Sequence, residues 1–540
     1  MHPIRHALSA LLGFTVCCAS NSAYAQNGDG KANVPADIEA IFNKPAYQGA
    51  LWGLRVIDVE TGKPLIDLHP NHQFYVASVR KNFTLAQLLD QVGPSHTYDT
   101  PIYREGAISK GGILQGNLIL VASGDITMGG RINPDGTVAY SKFDHGEANS
   151  LKNAVLTKPD VLAGYKALAQ QVAASGIKEI AGEVVIDDRL FKPFEFREEF
   201  EAKPIFVNDD FVDLIIQPTQ LGDLASLKHR PHSAALSVEN NVKMTPEDPE
   251  AEADIEPALP ECIGIPRCSV TLEGTLPVGF TPPLTGSYPL IRTYRITDPS
   301  SYARTILIEE LRRAGVKVKA ATVEKNPEDL LPAKDCYRPE MQVAKLTGLP
   351  VSEDAKFVNK VSYNLGADTS LLLWGLTQGA DNMEAALAVE RKNLQAHYGI
   401  APDEYHFIDG SGGGDSTATP KAVTHLLSDM YTHQTFPTFF ATLPILGVDG
   451  SLGTVTNFES DPSLAPAKGN VSAKTGTYVG LGENGPLIKA QEFAGYIHAK
   501  SGKILIFHLV VNNAPFEGIP SVINIFQDEG FISAILWRDN

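Results

Sequence analysis

The stretch Val76-Ala77-Ser78-Val79-Arg80-Lys81-Asn82-Phe83-Thr84 sets a serine three residues before a lysine at the head of an apolar-periodic segment. Leucine or valine recurs behind it at positions 85, 88, 89 and 92, which predicts a helix with Ser78 and Lys81 one turn apart on one face. A serine hydroxyl is a poor nucleophile until a neighbour accepts its proton, and a partly desolvated lysine can do so. The stretch therefore predicts a nucleophile beside its base, with the backbone N–H of Ser78 aimed at an oxyanion.

Two further motifs follow this pair along the chain. Ser362-Tyr363-Asn364 and Lys474-Thr475-Gly476 come in the order and at the long separations that a Ser-x-x-Lys, Ser-x-Asn, Lys-Thr-Gly set demands. Each motif alone has a simpler interpretation, respectively a helix N-terminus with an exposed lysine, a helix cap and a turn. Because three such motifs in order seldom arise by chance, the set favours a nucleophilic serine site.

Length and composition limit the classes of protein that fit. A chain of 540 residues is long enough for two or three domains, and 43% hydrophobic with 20% charged residues is typical of a globular protein. The net charge of -18 argues against binding of nucleic acid through bulk electrostatics. The 14 histidines form no cluster with metal-ligand spacing in the sequence, so we predict neither a metal nor a cofactor.

The first residues have the pattern of an export signal. Arg5 precedes an apolar run at positions 7–18 that is too short to span a bilayer, and Ala23-Tyr24-Ala25 matches a small-x-small cleavage site. We therefore expect a signal peptide over residues 1–25. Neither Cys17 nor Cys18 follows the small residue that a lipoprotein signal needs. The pattern predicts a protein without a stable membrane anchor that acts in the periplasm or otherwise outside the cytoplasmic membrane.

Three cysteines remain after removal of this leader. Cys262 and Cys268 bracket a short loop, and in an oxidising compartment we expect a disulfide between them rather than two free thiols. Cys336 is then left over and is predicted to be a small buried side chain.

Apolar patterns at both ends of the chain predict one antiparallel sheet. Leu51–Val59 and Pro64–Leu68 form a hairpin pattern, Glu492–Ile497 and Ile504–Val511 a second strand pair, and Ile523–Trp537 an amphipathic helix broken near Gly530. In between, helix patterns over 160–175 and 299–314 each end at a glycine and are followed by a strand pattern. These two units predict an inserted α/β region.

Several segments resemble landmarks of the serine D-alanyl-D-alanine carboxypeptidase/endopeptidase family of penicillin-binding proteins, the class C low-molecular-mass or peptidase family S13 type. Besides Ser78 to Lys81, they are Gly116–Asp125, Asn359–Asn364, Asp409–Gly412, Leu443–Gly450 and Ala473–Thr477. The resemblance implies an α/β (α+β) fold, in which a penicillin-recognising, β-lactamase-like domain with an antiparallel sheet and flanking helices is interrupted by a large inserted α/β region. It implies a transpeptidase-like catalytic domain over 26–95 and 340–540, with the insertion at 96–339.

The resemblance also implies the catalytic residues. Ser78 would attack the penultimate D-Ala carbonyl and Lys81 would accept its proton, which gives an acyl-enzyme that water later hydrolyses. Ser362 would relay the proton to the leaving group, and Asn364 would hold Lys81 and the substrate amide. Ser411, in the glycine-rich stretch that follows Asp409, is left outside this set because such a stretch is more often a flexible turn.

Four residues of the third motif are implied to bind substrate. Lys474 would supply positive charge for the terminal carboxylate and Thr475 a hydroxyl beside it. The backbone N–H groups of Ser78 and Thr477 would form the oxyanion hole, and Gly476 would leave room where the strand passes the substrate.

The sequence thus predicts a serine D,D-carboxypeptidase, a D,D-endopeptidase or both, with peptidoglycan peptides ending in D-Ala-D-Ala and β-lactam antibiotics as ligands. The alternatives are a β-lactamase or D-amino-acid esterase on the same scaffold, or a catalytically silent peptidoglycan-binding protein. Three departures from the family pattern are Val76 in place of a proline, the charge of Arg80, and a long connection over Val479–Gln491. The last of these lies beside the predicted site and bears on substrate preference.

Overall fold

The computed structural model describes residues 33–248, 251–257, 262–266, 268–483 and 485–540. The signal peptide expected over residues 1–25 lies outside the described residues. Within those ranges, the helices are too short or too polar to cross a bilayer.

Helices and strands of the described ranges are numbered in chain order. The helices are α1 (Ala36–Phe42), α2 (Lys81–Gln91), α3 (Ala163–Ala174), α4 (Pro299–Arg313), α5 (Val351–Lys360), α6 (Asn364–Thr377), α7 (Met383–Ala396), α8 (Pro420–Thr432), α9 (Phe436–Thr442) and α10 (Ile519–Asp539). The strands are β1 (Leu51–Asp58), β2 (Pro64–Leu68), β3 (Phe74–Tyr75), β4 (Thr97–Ile108), β5 (Ile113–Val121), β6 (Glu179–Ile180), β7 (Val184–Asp187), β8 (Phe194–Phe196), β9 (Phe200–Ala202), β10 (Phe211–Gln217), β11 (Ser226–Arg230), β12 (Ser237–Thr245), β13 (Ser269–Pro277), β14 (Leu290–Arg295), β15 (Lys317–Val318), β16 (Gln342–Pro350), β17 (Tyr405–His406), β18 (Thr417–Ala418), β19 (Val471–Gly482), β20 (Gly485–His498), β21 (Ile504–Asn512) and β22 (Ala514–Pro515).

The main sheet takes its strands from both ends of the chain, as predicted. Its order is β19-β20-β21-β1-β2, with β22 paired to β20, and these pairs are antiparallel. Helix α8 packs on one face, where Tyr496 donates a hydrogen bond to the Leu427 carbonyl, and α10 packs on the other, where Phe526 contacts Phe493. Because both faces are covered, β21 is apolar along almost its whole length instead of alternating. Strand β19, which carries the Lys-Thr-Gly motif, lies at the sheet edge.

The C-terminal helix differs from its prediction. We expected a break near Gly530, but α10 runs unbroken from Ile519 to Asp539. A Cβ on Gly530 would overlap a methyl group of Val455. The glycine therefore serves close helix packing, and reading it as a break was wrong.

A cluster of helices positions the first two motifs. Helix α2 packs against α5, α6 and α9, and α6 packs against α7. Ser78 lies in the 3₁₀ turn Ala77–Arg80 that leads directly into α2, and the loop between α5 and α6 carries the Ser-Tyr-Asn motif.

The long segment between these motifs forms a second, mixed sheet of order β15-β6-β5-β4-β16, with β7 paired to β5. The two predicted helix-glycine-strand units correspond to α3 with β6 and α4 with β15, and their strands are parallel neighbours. Gly176 and Gly315, which follow the two helices, have φ of +92° and +89°, a backbone conformation that favours glycine at a helix C-terminus. Strand β16 pairs with β4.

Smaller elements complete this segment. They include the three-stranded antiparallel sheet β11-β10-β14, the parallel pair β12 and β13, and the short hairpin of β8 and β9. The predicted disulfide is confirmed, since Cys262 and Cys268 are bonded with their Cα atoms 5.2 Å apart. The prediction that Cys336 is buried was wrong, because it ends an exposed 3₁₀ turn, Lys334–Cys336, on the surface.

Candidate active site

Ser78 and Lys81 are in direct contact. The Nζ atom of Lys81 lies 2.7 Å from Ser78 Oγ, 2.7 Å from Asn364 Oδ1 and 2.9 Å from the Ser411 carbonyl oxygen. A neutral amine has two N–H donors and one lone pair. Asn364 and Ser411 offer two acceptors for the hydrogens, which leaves the lone pair for the Ser78 hydroxyl. The contacts therefore fit an amine that is ready to accept the serine proton.

The surroundings of Lys81 favour its neutral form. The side chain is fully buried, and burial lowers the pKa of Lys81 well below its usual value, with a further lowering by the charges of Lys474 and Arg197. Asp368 and Asp409 act in the opposite direction on that pKa. Ser78 itself is only half-buried, so it remains open to a substrate.

The loop Asp409–Gly413 supports this pair, although sequence reasoning left it outside the site. The Asp409 carboxylate accepts hydrogen bonds from the backbone N–H groups of Ser411, Gly412 and Gly413, at 3.0, 2.6 and 2.9 Å. This holds the Ser411 carbonyl against Lys81. A Cβ on Gly412 would overlap the carbonyl oxygen of Ala77, so the glycine allows the loop to pack closely against the turn that carries Ser78. The signal in the sequence was an aspartate before a glycine-rich run.

Ser362 and Asn364 lie on either side of a tyrosine that faces the long segment between the first two motifs. Ser362 has φ of +61°, a left-handed conformation unusual for serine, and Tyr363 donates a hydrogen bond of 3.2 Å to the Asp209 carbonyl. Ser362 Oγ accepts a hydrogen bond of 3.0 Å from Lys474 Nζ. The second motif thus joins the first through Asn364 and the third through Ser362.

Lys474 is fully buried. Its Nζ atom also donates to the Thr475 carbonyl at 2.7 Å, and burial lowers the pKa of Lys474 to about 7 against the opposing charges of Glu492 and Glu147. Near neutral pH this group is therefore a mixture of ammonium and amine. Thr475 Oγ1 lies 2.8 Å from Ser451 Oγ.

The next two residues of β19 differ in exposure. Thr477 is exposed, and its hydroxyl donates to Gln491 Oε1 at 2.8 Å. Gly476 is buried, and a Cβ there would overlap the side chain of Glu492, which is itself hydrogen-bonded to His508 at 2.7 Å. Packing against Glu492 is thus a reason for glycine that the sequence did not reveal.

Arg80 points away from the cleft. Its guanidinium is fully buried, where it pairs with Glu390 at 2.6 Å, donates to the Asp409 carbonyl at 3.0 Å and lies 4.1 Å from the Phe407 ring centre. The charge that departs from the family pattern therefore anchors the turn that carries Ser78 to α7.

A cavity of about 150 Å³ adjoins the second motif. Its walls come from the Ser362–Leu365 loop on one side and from the long segment between the first two motifs on the other, including His145, Arg197 and Arg295. The cleft beside Ser362 is therefore built by both parts of the chain.

Among the described residues, two groups of carboxylate and imidazole ligands are close enough to hold a metal ion: Asp144, His145 and Asp209, and Asp90, His397 and His433. In the first group, the Arg131 guanidinium donates to Asp144 at 3.0 Å and to Asp209 at 2.7 Å, so a protein cation already occupies that position. The second group lies on α2, α7 and the end of α8, away from the three motifs. The absence of a metal stays a prediction.

Three features together define a penicillin-recognising serine enzyme. They are a serine hydrogen-bonded to a buried lysine, a Ser-x-Asn loop between two helices, and a Lys-Thr-Gly motif on an edge strand. The model of the D-Ala-D-Ala carboxypeptidase 3 (S13) family matches residues 34–523, and the chain belongs to this family of serine-type D-Ala-D-Ala carboxypeptidases.

Individual relatives agree with this assignment. The chain is 26% identical over 520 residues to a D-alanyl-D-alanine carboxypeptidase of Actinomadura sp. (strain R39), with 93% of this chain and 85% of the relative covered. Its fold is similar to that of penicillin binding protein 4 (dacB) from Haemophilus influenzae, with a TM-score of 0.67 at 17% identity over 93% of this chain and 99% of the other. The complex of the same protein with a β-lactam gives a TM-score of 0.65 at 18% identity, with the same coverage.

Proposed function

We propose that Ser78 is the nucleophile of a serine D,D-carboxypeptidase and/or D,D-endopeptidase that acts on peptidoglycan stem peptides. The observation that carries this proposal is the contact of 2.7 Å between Ser78 Oγ and the fully buried amine of Lys81. An amine that is kept neutral by burial can take the hydroxyl proton while the oxygen attacks a carbonyl carbon.

In the proposed mechanism the Ser78 oxygen bonds to the penultimate D-Ala carbonyl carbon as its proton passes to Lys81 Nζ. The backbone N–H groups of Ser78 and Thr477 stabilise the resulting oxyanion. The C–N bond then breaks, and Ser362 relays a proton to the departing amine, a role that its hydrogen bond with Lys474 supports. In the second half-reaction water attacks the acyl carbon, the bond from this carbon to the Ser78 oxygen breaks, a water proton returns to that oxygen, and the peptide leaves with a new carboxylate.

Substrate recognition rests on the edge strand β19. Lys474 and Thr475 bind the terminal carboxylate, Gly476 and Thr477 line the strand where the peptide passes, and Asn364 holds the substrate amide as well as Lys81. β-Lactams mimic this peptide and acylate the same serine, and the β-lactam complex of the H. influenzae protein of the same fold supports this part of the proposal. No metal or cofactor takes part.

We assign the catalytic domain to residues 26–95 and 340–540 and the insertion to 96–339, with β16 as the strand by which the chain returns. The main sheet and the second sheet support this division, because their strands fall on opposite sides of these bounds except for β16, which pairs with β4. We further propose that the leader predicted over residues 1–25 exports the protein to the periplasm.

The test is mass spectrometry of the intact protein after exposure to a penicillin, with Ser78→Ala beside the wild type. We expect a long-lived adduct on the wild type, release of D-Ala from a D-Ala-D-Ala peptide, and loss of both in the variant. Rapid turnover of the penicillin would favour the β-lactamase alternative, and absence of any adduct would favour a silent peptidoglycan-binding protein. An adduct retained by Ser78→Ala would refute the assignment of the nucleophile.

A further inference from the structure

The inserted segment places a cation, the guanidinium of Arg197, beside the catalytic site. Arg197 lies at the tip of the hairpin formed by β8 and β9, and its Nη2 atom is 3.4 Å from Ser411 Oγ. The carbonyl of the same Ser411 accepts a hydrogen bond of 2.9 Å from Lys81 Nζ. Arg197 is more than a hundred positions away in sequence from both the Ser78–Lys81 and the Ser362–Asn364 motifs. In space, only Ser411 lies between its guanidinium and the amine of Lys81.

The hairpin that carries Arg197 is strained at its tip and fixed at its base. Arg197 and Glu198 have φ of +52° and +60°, and the Glu199 N–H donates to the Phe196 carbonyl at 2.9 Å, which closes a tight turn with both central residues left-handed. Neither central residue is glycine, the residue that such a turn prefers. Strain of this kind persists where the surrounding structure enforces it, and it often marks a functional position.

The base of the hairpin is held by Arg295. Its guanidinium pairs with Glu199 at 3.0 Å and lies 3.9 Å from the Phe211 ring centre, and Phe196 and Phe200 are buried beside it. These contacts hold the base of the hairpin, whereas the Arg197 side chain at its tip is exposed and reaches Ser411 Oγ.

We propose that Arg197 is a positioning residue of the catalytic site, which holds the Ser411 loop and keeps positive charge beside Lys81 so that the lysine is available as a base. The inference rests on the proposed role of Lys81. It gives the inserted region a part in catalysis besides forming one wall of the cleft.

The charges around Lys81 set the sign of the effect. The groups that face it are Lys474 from β19, Arg197 from the hairpin, Asp368 from α6 and Asp409 from the loop. The two cations disfavour protonation of Lys81, and the two carboxylates favour it. Burial and the charge of Asp409 raise the pKa of Asp368 to about 8, while the charges of Arg197 and Lys81 lower it. Without the charge of Arg197, less positive charge opposes the effect of the two carboxylates on Lys81. The Lys81 ammonium is then harder to deprotonate.

The experiment measures the second-order rate of acylation by a chromogenic cephalosporin from pH 5 to pH 10. For Arg197→Gln, we expect the acidic limb of the profile to move to higher pH by about 0.5 to 1 unit, the scale of a partly screened charge at this range. Acylation should fall by about 3-fold to 10-fold below the limb and match the wild type on the alkaline plateau. Arg197→Lys, which keeps the charge, should restore most of the shift.

Lys192→Gln is the matched control, because it also removes one exposed cation from the inserted segment. The Lys192 side chain pairs with Asp381 at 3.5 Å. It should leave the profile unchanged. An unmoved limb in Arg197→Gln would overturn the inference, and so would a loss that is equal at every pH and confined to ligands with a free carboxylate, since that would assign Arg197 to substrate binding. If the wild type forms no adduct at Ser78, the proposed function fails instead, so the two failures are distinguishable.

Discussion

Lys474 Nζ donates a hydrogen bond of 3.0 Å to Ser362 Oγ across 112 positions of sequence. The same Lys474 is fully buried, and burial lowers its pKa to about 7. One group can thus serve two purposes in the proposed reaction: as an ammonium it attracts the substrate carboxylate, and as a hydrogen-bond donor it orients the serine that relays the proton. The proposed reaction therefore couples substrate binding and proton transfer at this contact.

Replacement of Lys81 by methionine should lower the rate of acylation by at least about 10²-fold, because general-base catalysis contributes on this scale. Methionine keeps much of the volume of the buried side chain, so the fold should be retained. The rate is measured by stopped flow with a penicillin, and Lys421→Met, at an exposed lysine that pairs with Glu404, is the control. An unchanged acylation rate in Lys81→Met would mean that another group is the base.

The buried ion pair of Arg80 and Glu390 should matter for stability. Arg80→Met leaves the Glu390 carboxylate buried without its charge partner, and loss of one partner of such a pair costs about 3–5 kcal/mol. We expect a lower midpoint of urea unfolding, monitored by circular dichroism, and partial recovery in Arg80→Met/Glu390→Leu. Arg391 is an exposed residue of α7, the helix that carries Glu390. Arg391→Met should change the free energy of unfolding by only about 0.5 kcal/mol or less. Equal midpoints for the two single variants would contradict the prediction.

The sequence predicted those features that depend on local periodicity. The contact of Ser78 and Lys81 followed from their i, i+3 spacing, and the strands of the main sheet followed from runs of apolar residues. The contribution of Ser411 was missed because it comes from a backbone carbonyl, which has no side-chain signature. Arg197 was missed because only the tertiary fold of the segment between the first two motifs brings it near Lys81.

Two other differences between prediction and structure also arise from tertiary structure. Gly530 was read as a helix break by its low helix propensity, whereas close packing against Val455 is what requires a residue without a side chain. Cys336 was predicted to be buried by the average behaviour of free cysteine, but nothing in its local sequence indicates whether its turn lies on the surface.

His145 should make stability depend on pH between neutral and alkaline conditions. Its Nδ1 atom lies 2.6 Å from Asp213 Oδ1 and its Nε2 atom 2.8 Å from Asp209 Oδ2, with Arg131 and Asp144 beside them. Burial opposes the charged ring, but the carboxylates of Asp213 and Asp209 outweigh it and raise the pKa of His145 to about 9 from the usual 6.5. A raised pKa in the folded state means that the stabilisation is complete below about pH 6.5 and is lost as pH rises through about 9.

This loss should amount to about 3 kcal/mol by the usual conversion of a pKa shift to free energy. The measurement is urea unfolding at pH 6, 7.5 and 9 for the wild type and His145→Gln. The variant should be less stable at pH 6 and should lose less stability on going to pH 9. His498→Gln, at an exposed histidine, is the control and should behave as the wild type does. A variant with the full pH dependence of the wild type would exclude His145 as its source.

Lys474 gives the sharpest test of substrate recognition. A charge-assisted hydrogen bond to a carboxylate in a partly dehydrated cleft contributes roughly 1.5–3 kcal/mol. Lys474→Ala should therefore slow acylation by a free-acid D-Ala-D-Ala peptide by about 10-fold to 200-fold. The corresponding peptide amide lacks the ion pair, so the variant should lose most of the preference for the acid. Lys468→Ala, at an exposed lysine that pairs with Glu459, should keep that preference.

The pKa of Lys474 adds a prediction for the wild type. Because burial lowers this pKa to about 7, the ammonium form that attracts a carboxylate declines as pH rises through that value. The ratio of acylation rates for the acid and the amide should therefore fall between pH 6 and pH 9, whereas the titration of Lys81 affects both ligands and cancels in the ratio. In Lys474→Ala the ratio should be low and independent of pH. Equal losses on acid and amide in the variant, with a flat ratio in the wild type, would show that Lys474 acts only through Ser362 in proton transfer, and recognition of the carboxylate would have to be assigned to another residue.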